Sequence, residues 1–140
     1  MSPVELPRRV LGIDHGTKRV GLAVSDLLGL TAHALEVVPR HLALDRIAAL
    51  ALELEVTEIV IGLPTSLGGK EGPAADAARA FAREVEKATH LQVTFVDERF
   101  TTTTAERALL AAGMRRRERR QRVDKVAAAV ILQAFLDQPR

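Results

Sequence analysis

The sequence predicts an α/β protein, a mixed sheet covered by helices. Three observations carry that prediction. Up to Pro39, three short apolar runs are separated by turn residues, the pattern of a strand meander. From Leu42 onward, stretches with helical spacing alternate with short, wholly apolar ones, as they do where strands and helices pack in layers. The 140 residues, 47% of them hydrophobic, suffice for one domain (1–140) with a core of its own.

The first run, Val10 to Asp14, ends in an acid. His15-Gly16-Thr17-Lys18-Arg19 then turns the chain, and Val20 to Val24 runs back. Ala32 to Val38 is the third run, stopped by Pro39. Between Leu42 and Leu54 the apolar residues Ala43, Ile47, Leu50, Ala51 and Leu54 fall at helical spacing. Glu58 to Gly62 reads as a short buried strand. Gly62 to Pro73 holds four glycines and two prolines, which no regular element accommodates. Ser66, Lys70 and the N–H groups around Gly68 and Gly69 are candidates to meet a phosphate; the alternative is a plain connection. The Gly-Lys-Ser/Thr ending of a Walker A loop is missing.

Pro73 suits the first turn of a helix. That helix is expected over Ala74 to Thr89, with Ala74, Ala77, Ala78, Phe81, Val85 and Ala88 inward. Leu91 to Val96 is a strand that stops at Asp97-Glu98-Arg99. Thr101 to Thr104 open another helix, with Thr103 and Glu106 at capping-box spacing and Gly113 at its end. The last helix is expected from near Arg122. Its apolar residues are Val123, Val126, Ala127, Val130, Ile131, Ala134 and Phe135, and Asp124 falls on their side.

Composition excludes several classes. Without cysteine there is no disulfide framework, thiolate metal site or cysteine nucleophile. No apolar run reaches membrane-spanning length, and the N-terminus lacks a signal peptide's apolar region, so a cytoplasmic protein is expected. The net charge of +2 hides its distribution. From Arg115 to Lys125, six arginines and one lysine face only Glu118 and Asp124. Such a run is either a solvated face or a contact for a polyanion, and nucleic acid is the obvious one.

Asp14, Glu98 and Asp124 are the candidate catalytic residues. Asp14 and Glu98 stand where apolar strands stop, and Asp124 sits on a helix's apolar side. For Asp14 alone two readings stand, a turn cap or a metal ligand. If the first strand and the Leu91–Val96 strand are near neighbours and parallel, Asp14 and Glu98 share one sheet edge, and the last helix can bring Asp124 over them. Three gathered carboxylates repel unless a cation sits among them. Oxygen donors of this kind suit Mg²⁺ or Mn²⁺, and a metal pair can drive phosphodiester hydrolysis. The histidines, His15, His33, His41 and His90, lack a His-Glu-x-x-His spacing, and neither Ser25 nor Ser66 lies in a Gly-x-Ser-x-Gly elbow. His15 reads as a turn residue or as an assistant to the acid beside it.

Gly12-Ile-Asp14-His-Gly16-Thr-Lys-Arg19-Val-Gly21-Leu-Ala23-Val-Ser25-Asp26, Gly62-Leu-Pro64, Asp97-Glu98-Arg99-Phe-Thr-Thr102 and Val123-Asp124-Lys-Val-Ala-Ala128-Ala-Val-Ile131-Leu132 together resemble the YqgF (RuvX) family. The resemblance covers nearly the whole chain in the right order. It implies a ribonuclease-H-like fold: a five-stranded mixed sheet, its first three strands antiparallel, with helices on both faces. It also implies metal-dependent nuclease chemistry and a role in maturing the 5′ end of pre-16S ribosomal RNA, with Asp14, Glu98 and Asp124 matching the acidic triad. Two departures, His15 where an aromatic or apolar residue is common and Phe100 where leucine is common, leave every carboxylate in place.

The nucleic-acid contacts expected are Thr17, Lys18, Arg19, Lys70, Arg99, Arg116, Arg117, Arg119, Arg120 and Arg122. Aromatics are 3% of residues, too few for a stacking platform, so backbone contacts are expected over base readout. The substrate is RNA, or branched or single-stranded DNA. The alternatives to rRNA processing are a Holliday junction resolvase and a non-catalytic RNA-binding module working with ribosome-assembly or transcription machinery. A nucleotide phosphotransferase built on the Asp14-x-Gly16-Thr17 turn would need a second such domain. Monomer and homodimer both remain open.

Overall fold

The computed structural model describes residues 7–65, 70–97 and 116–139, with the side chains of the last helix described from 126 onward. Five strands form one sheet: β1 (Val10–His15), β2 (Arg19–Ser25), β3 (Ala32–Pro39), β4 (Glu58–Leu63) and β5 (Val93–Asp97). Among the described residues, the helices are α1 (Ala43–Glu53), α2 (Pro73–Thr89) and α3 (Arg116–Leu136), with a 3-10 turn at Arg40–Leu42. The strand order is β3-β2-β1-β4-β5. β1 is antiparallel to β2, and β2 to β3, as short polar turns require. β1, β4 and β5 are parallel; α1 leads from β3 across to β4, and α2 joins β4 to β5.

β1 is the central strand, which explains its apolar run. Its alternation divides the molecule. Leu11 and Ile13 enter a core shared with Ile47 and Leu50 of α1 and Ala78, Phe81 and Val85 of α2. Val10 enters a second core with Val60, Val96 and α3's Ala128, Ile131 and Leu132. Helices therefore cover both faces, as the resemblance implies.

The structure refines several sequence expectations. β4 runs one residue further, to Leu63, and β5 spans Val93–Asp97 because pairing with β4 begins at Val93. In α2 the buried residues are Ala75, Ala78, Phe81, Ala82 and Val85, while Ala74, Ala77 and Ala88 are exposed. Alanine carries little apolar area, so a helix rich in it leaves the stripe's direction to its larger side chains. α3 starts at Arg116, six residues before the expected start, and the basic run from Arg116 on lies within it. Arginine, glutamate and glutamine are good helix formers, so the helix outruns its apolar stripe. In α3, Ala128 and Leu132 are buried beside Ala127 and Ile131, whereas Val126, Val130, Ala134 and Phe135 are half-buried. The helix expected after Thr101 lies outside the described residues.

Candidate active site

Asp14 stands near the C-terminal end of β1 and is half-buried. Strand alternation puts it on the α3 side of the sheet, with Val10 and Gly12. At Gly12 that helix comes very close. A Cβ there would lie 2.7 Å from the Leu132 Cβ and 3.1 Å from the Ala128 carbonyl oxygen. The far end of α3 lies over the start of β1: the Arg8 guanidinium sits 5.3 Å from the Phe135 ring centre. The Ala32 N–H of β3 also donates to the Gln133 side chain at 2.9 Å. The helix thus runs antiparallel to β1, and its earlier turns advance toward the Asp14 end. Asp124 belongs to the turn just before Ala128.

The β1–β2 turn is tight. The Gly16 N–H donates to the Arg19 carbonyl at 3.0 Å, and a Cβ at Gly16 would fall 2.4 Å from that oxygen. Thr17, Lys18 and Arg19 are exposed on this turn, beside Asp14. The Lys18 carbonyl accepts the Arg40 N–H at 2.8 Å, which ties the turn to the end of β3.

His15 belongs to the other face. Its ring lies 4.7 Å from that of Phe81, tilted by 31°. Its Nε2 accepts a hydrogen bond from Arg40 Nε at 3.1 Å. Burial, and then the charge of Arg40, push its pKa down, against a smaller opposite pull from Glu84. His15 is therefore a neutral acceptor, turned away from Asp14 and already engaged by Arg40.

The glycine-rich loop is anchored at both described ends. Thr65 and Glu71 form a β-bridge. The Thr65 hydroxyl donates to Asp97 Oδ1 at 2.8 Å. Glu71 accepts two hydrogen bonds from Arg79, at 2.8 and 2.9 Å, and Arg79 sits 4.9 Å over the Phe95 ring. Hydrogen bonding from Arg79 holds the Glu71 carboxyl below the usual carboxylate range. Lys70 is exposed beside this clasp. Asp97 closes β5 opposite Leu63 and serves the loop. Ser66, Gly68 and Gly69 lie outside the described residues.

Among the described residues no group of three or more histidine, cysteine, aspartate or glutamate side chains gathers. Glu98 and Arg99 lie outside them, as do the side chains of Arg116, Arg117, Arg119, Arg120, Arg122 and Asp124. The donors that can be weighed fit a hard cation. Asp14 offers carboxylate oxygen, His15 is turned aside, and the chain has no thiolate. Arg40 and the Glu71–Arg79 pair are the features local sequence pattern misses, since the first joins residues 25 apart and the second ties a loop to a helix off any periodic spacing. Among the described residues no helix is long and apolar enough to cross a membrane.

The family model for RuvX, described as Holliday junction resolvase, matches residues 8–138. This chain belongs to the RuvX family. Two relatives, each named "Putative pre-16S rRNA nuclease", match this RuvX chain over 92% of its length. The one from Moorella thermoacetica is 48% identical across 94% of its own length. The one from Bacillus cereus (strain B4264) is 44% identical across 98%. Among solved structures, Thermus thermophilus RuvC in complex with a Holliday junction substrate superposes with a TM-score of 0.55. The match covers 93% of this chain and 96% of that one, at 18% identity, a likeness of fold. The RuvX chain thus has the ribonuclease-H-like α/β fold.

Proposed function

We propose that this RuvX protein is a metal-dependent nuclease that hydrolyses phosphodiester bonds at the 5′ end of pre-16S rRNA. One observation carries the reading most: Asp14 stands near the end of the central strand on the face that α3 approaches closely at Gly12, and Asp124 belongs to the helical turn next to that contact. Glu98 is two positions beyond Val96, the β5 residue buried against α3. Asp14, Glu98 and Asp124 are the residues that would hold Mg²⁺ or Mn²⁺. Such an ion, when bound, polarises the phosphate and makes water a competent nucleophile.

The chain's own groups then position the substrate. Thr17, Lys18 and Arg19 sit on the turn beside Asp14, and Gly16 lets that turn close tightly on the Arg19 carbonyl, which holds the three together. Lys70, on the anchored loop, and Arg99, Arg116, Arg117, Arg119, Arg120 and Arg122 hold the strand further out, through charge rather than base reading. The relatives' names support the RNA substrate, and their identity spans nearly the whole chain. The family description favours branched DNA as the second reading.

The test is cleavage of a labelled pre-16S 5′ fragment and of a four-way DNA junction, with Mg²⁺ or Mn²⁺ titrated. The RNA is expected to be cut, and Asp14→Asn and Asp124→Asn to lose at least about 100-fold in rate while melting like the parent. Junction cleavage alone would move the assignment to the second reading. Parent-like cleavage by either variant would remove that residue from the centre.

A further inference from the structure

Behind Asp14, on the α2 side of the sheet, four side chains form a chain of contacts that the nuclease reading leaves unused. His15 stacks on Phe81. Arg40 lies 4.3 Å over the same Phe81 ring. Arg40 donates from Nε to His15 Nε2 at 3.1 Å, and its Nη2 stands 3.8 Å from Glu84 Oε2. Its own N–H holds the Lys18 carbonyl at 2.8 Å. Arg40 therefore holds the β1–β2 turn at two points, His15 just before it through its side chain and Lys18 within it through its backbone. The guanidinium is itself held by an aromatic face and a carboxylate on α2, a rigid helix.

That geometry has a consequence for the reacting groups. Asp14 precedes His15 directly, so the orientation of the His15 peptide sets where Asp14 projects on the opposite face. Lys18, Thr17 and Arg19 are carried by the same turn. A fixed His15 and a fixed Lys18 carbonyl together leave that turn little freedom. Only a planar guanidinium gives Nε to one partner while lying flat on an aromatic ring; lysine lacks the Nε–H and the flat face.

We propose that Arg40, acting through His15, is a positioning residue of the active centre: it fixes the β1–β2 turn so that Asp14 and the turn's cations meet metal and phosphate in one geometry. The proposal rests on the nuclease reading for its kinetic consequence, but its metal-binding consequence can be measured without cleavage. Small displacements of a reacting group cost rate more than affinity, so the expected signature is in kcat.

The experiment compares full-length parent, Arg40→Met, Arg40→Lys, His15→Phe, His15→Gln and the Arg40→Met/His15→Phe double variant. His15→Phe keeps the ring on Phe81 and deletes the acceptor, while His15→Gln restores an acceptor at the position of Nε2. Each is measured for kcat and KM on the RNA fragment, for Mn²⁺ affinity by calorimetry, and for melting temperature. Arg40→Met and His15→Phe are expected to lower kcat about tenfold at unchanged KM, and the double variant by no more than either single. Mn²⁺ affinity falls in both, and His15→Gln recovers most of each loss. If Arg40→Met fails to fold, Arg40→Lys takes its place and is expected to show the same kcat loss.

A raised KM at parent kcat would overturn the proposal, because Arg40 would then touch substrate itself. Losses that multiply in the double variant would also overturn it, since the two residues would not act as one unit. If the parent binds Mn²⁺ but cleaves neither RNA nor junction, the nuclease reading fails and the metal data decide alone: His15→Phe at parent affinity overturns the positioning role, and weakened binding sustains it. A parent that binds no Mn²⁺ overturns both.

Discussion

Gly12 sets the distance between sheet and helix next to Asp14. Its missing Cβ would lie 2.7 Å from the Leu132 Cβ, closer than packed atoms tolerate. Gly12→Ala is expected to destabilise the protein by about 1–3 kcal/mol, the usual cost of overpacking, as read by denaturant unfolding. Adding Leu132→Ala should not rescue it, because alanine keeps the offending Cβ. A parent-like midpoint for Gly12→Ala would mean that α3 docks less closely than described. The same scale shows what a linear sequence reveals. Asp14 was visible as an acid that ends an apolar strand, since buried carboxylates demand a reason. The contacts of His15 were not. Its partner Arg40 is 25 residues away, and no local pattern marks a side chain that stacks across elements. Asp97 likewise reads as one more acid beside Glu98 until Thr65 is seen bonded to it.

Elements with a strong period were legible, and those with a weak one slipped. α1 buries Ala43, Ile47, Leu50 and Ala51 as its spacing predicts, because large and small apolar residues share one stripe. α2 holds so many alanines that several stripes fit, and packing around Phe81 chose among them. The start of α3 slipped because charged helix formers continue a helix with no apolar signal. Ile131 is fully buried in the layer between α3 and the sheet. Ile131→Ala should cost about 2–5 kcal/mol, and a calorimetric scan showing a loss below 1 kcal/mol would mean that the layer is loosely packed. The β2–β3 turn gives a pH test. Asp26 accepts the Leu30 N–H at 2.7 Å and the Thr31 N–H and hydroxyl at longer range, with the Leu30 bond foremost in holding its carboxyl below the usual range. A carboxyl depressed in the native state adds stability above its unfolded-state pKa, and that stability is lost as pH falls through the native value. Asp26→Ala should therefore melt below the parent at neutral pH, and the gap should close in acid. A gap that is constant with pH would show that the turn does not depend on the charge.

At the scale of the whole molecule, the topology was legible and the active centre only partly so. Short turns make the first three strands antiparallel and the α2 crossover makes β4 and β5 parallel, whereas the placing of β4 beside β1 rather than β3 is a long-range choice. The proposed centre draws on residues from the beginning, the last third and the end of the chain, segments that no local pattern links. Charge is the remaining global property. A net +2 is small, so nucleic-acid affinity in the proposed function must come from the local arginine run. Arg119→Gln/Arg120→Gln should lower the slope of log K against log salt by about 1.4 on single-stranded RNA, if both meet phosphates, and leave the melting temperature unchanged. An unaltered slope would return the run to a solvated face.

The close packing of α3 on β1 has a further result. Ala128, Ile131 and Leu132 of this one helix make one wall of the second core, while Asp124, a turn away, belongs to the proposed metal centre. If Asp124 ligates the cation, binding and the closing of that hydrophobic layer are linked, and each strengthens the other by the same factor. Mn²⁺ should slow amide exchange along the apolar half of α3, beyond the reach of any ligand, and loosening Leu132 should release the ion. With the proposed centre occupied, the core on that face would respond to the metal its surroundings supply.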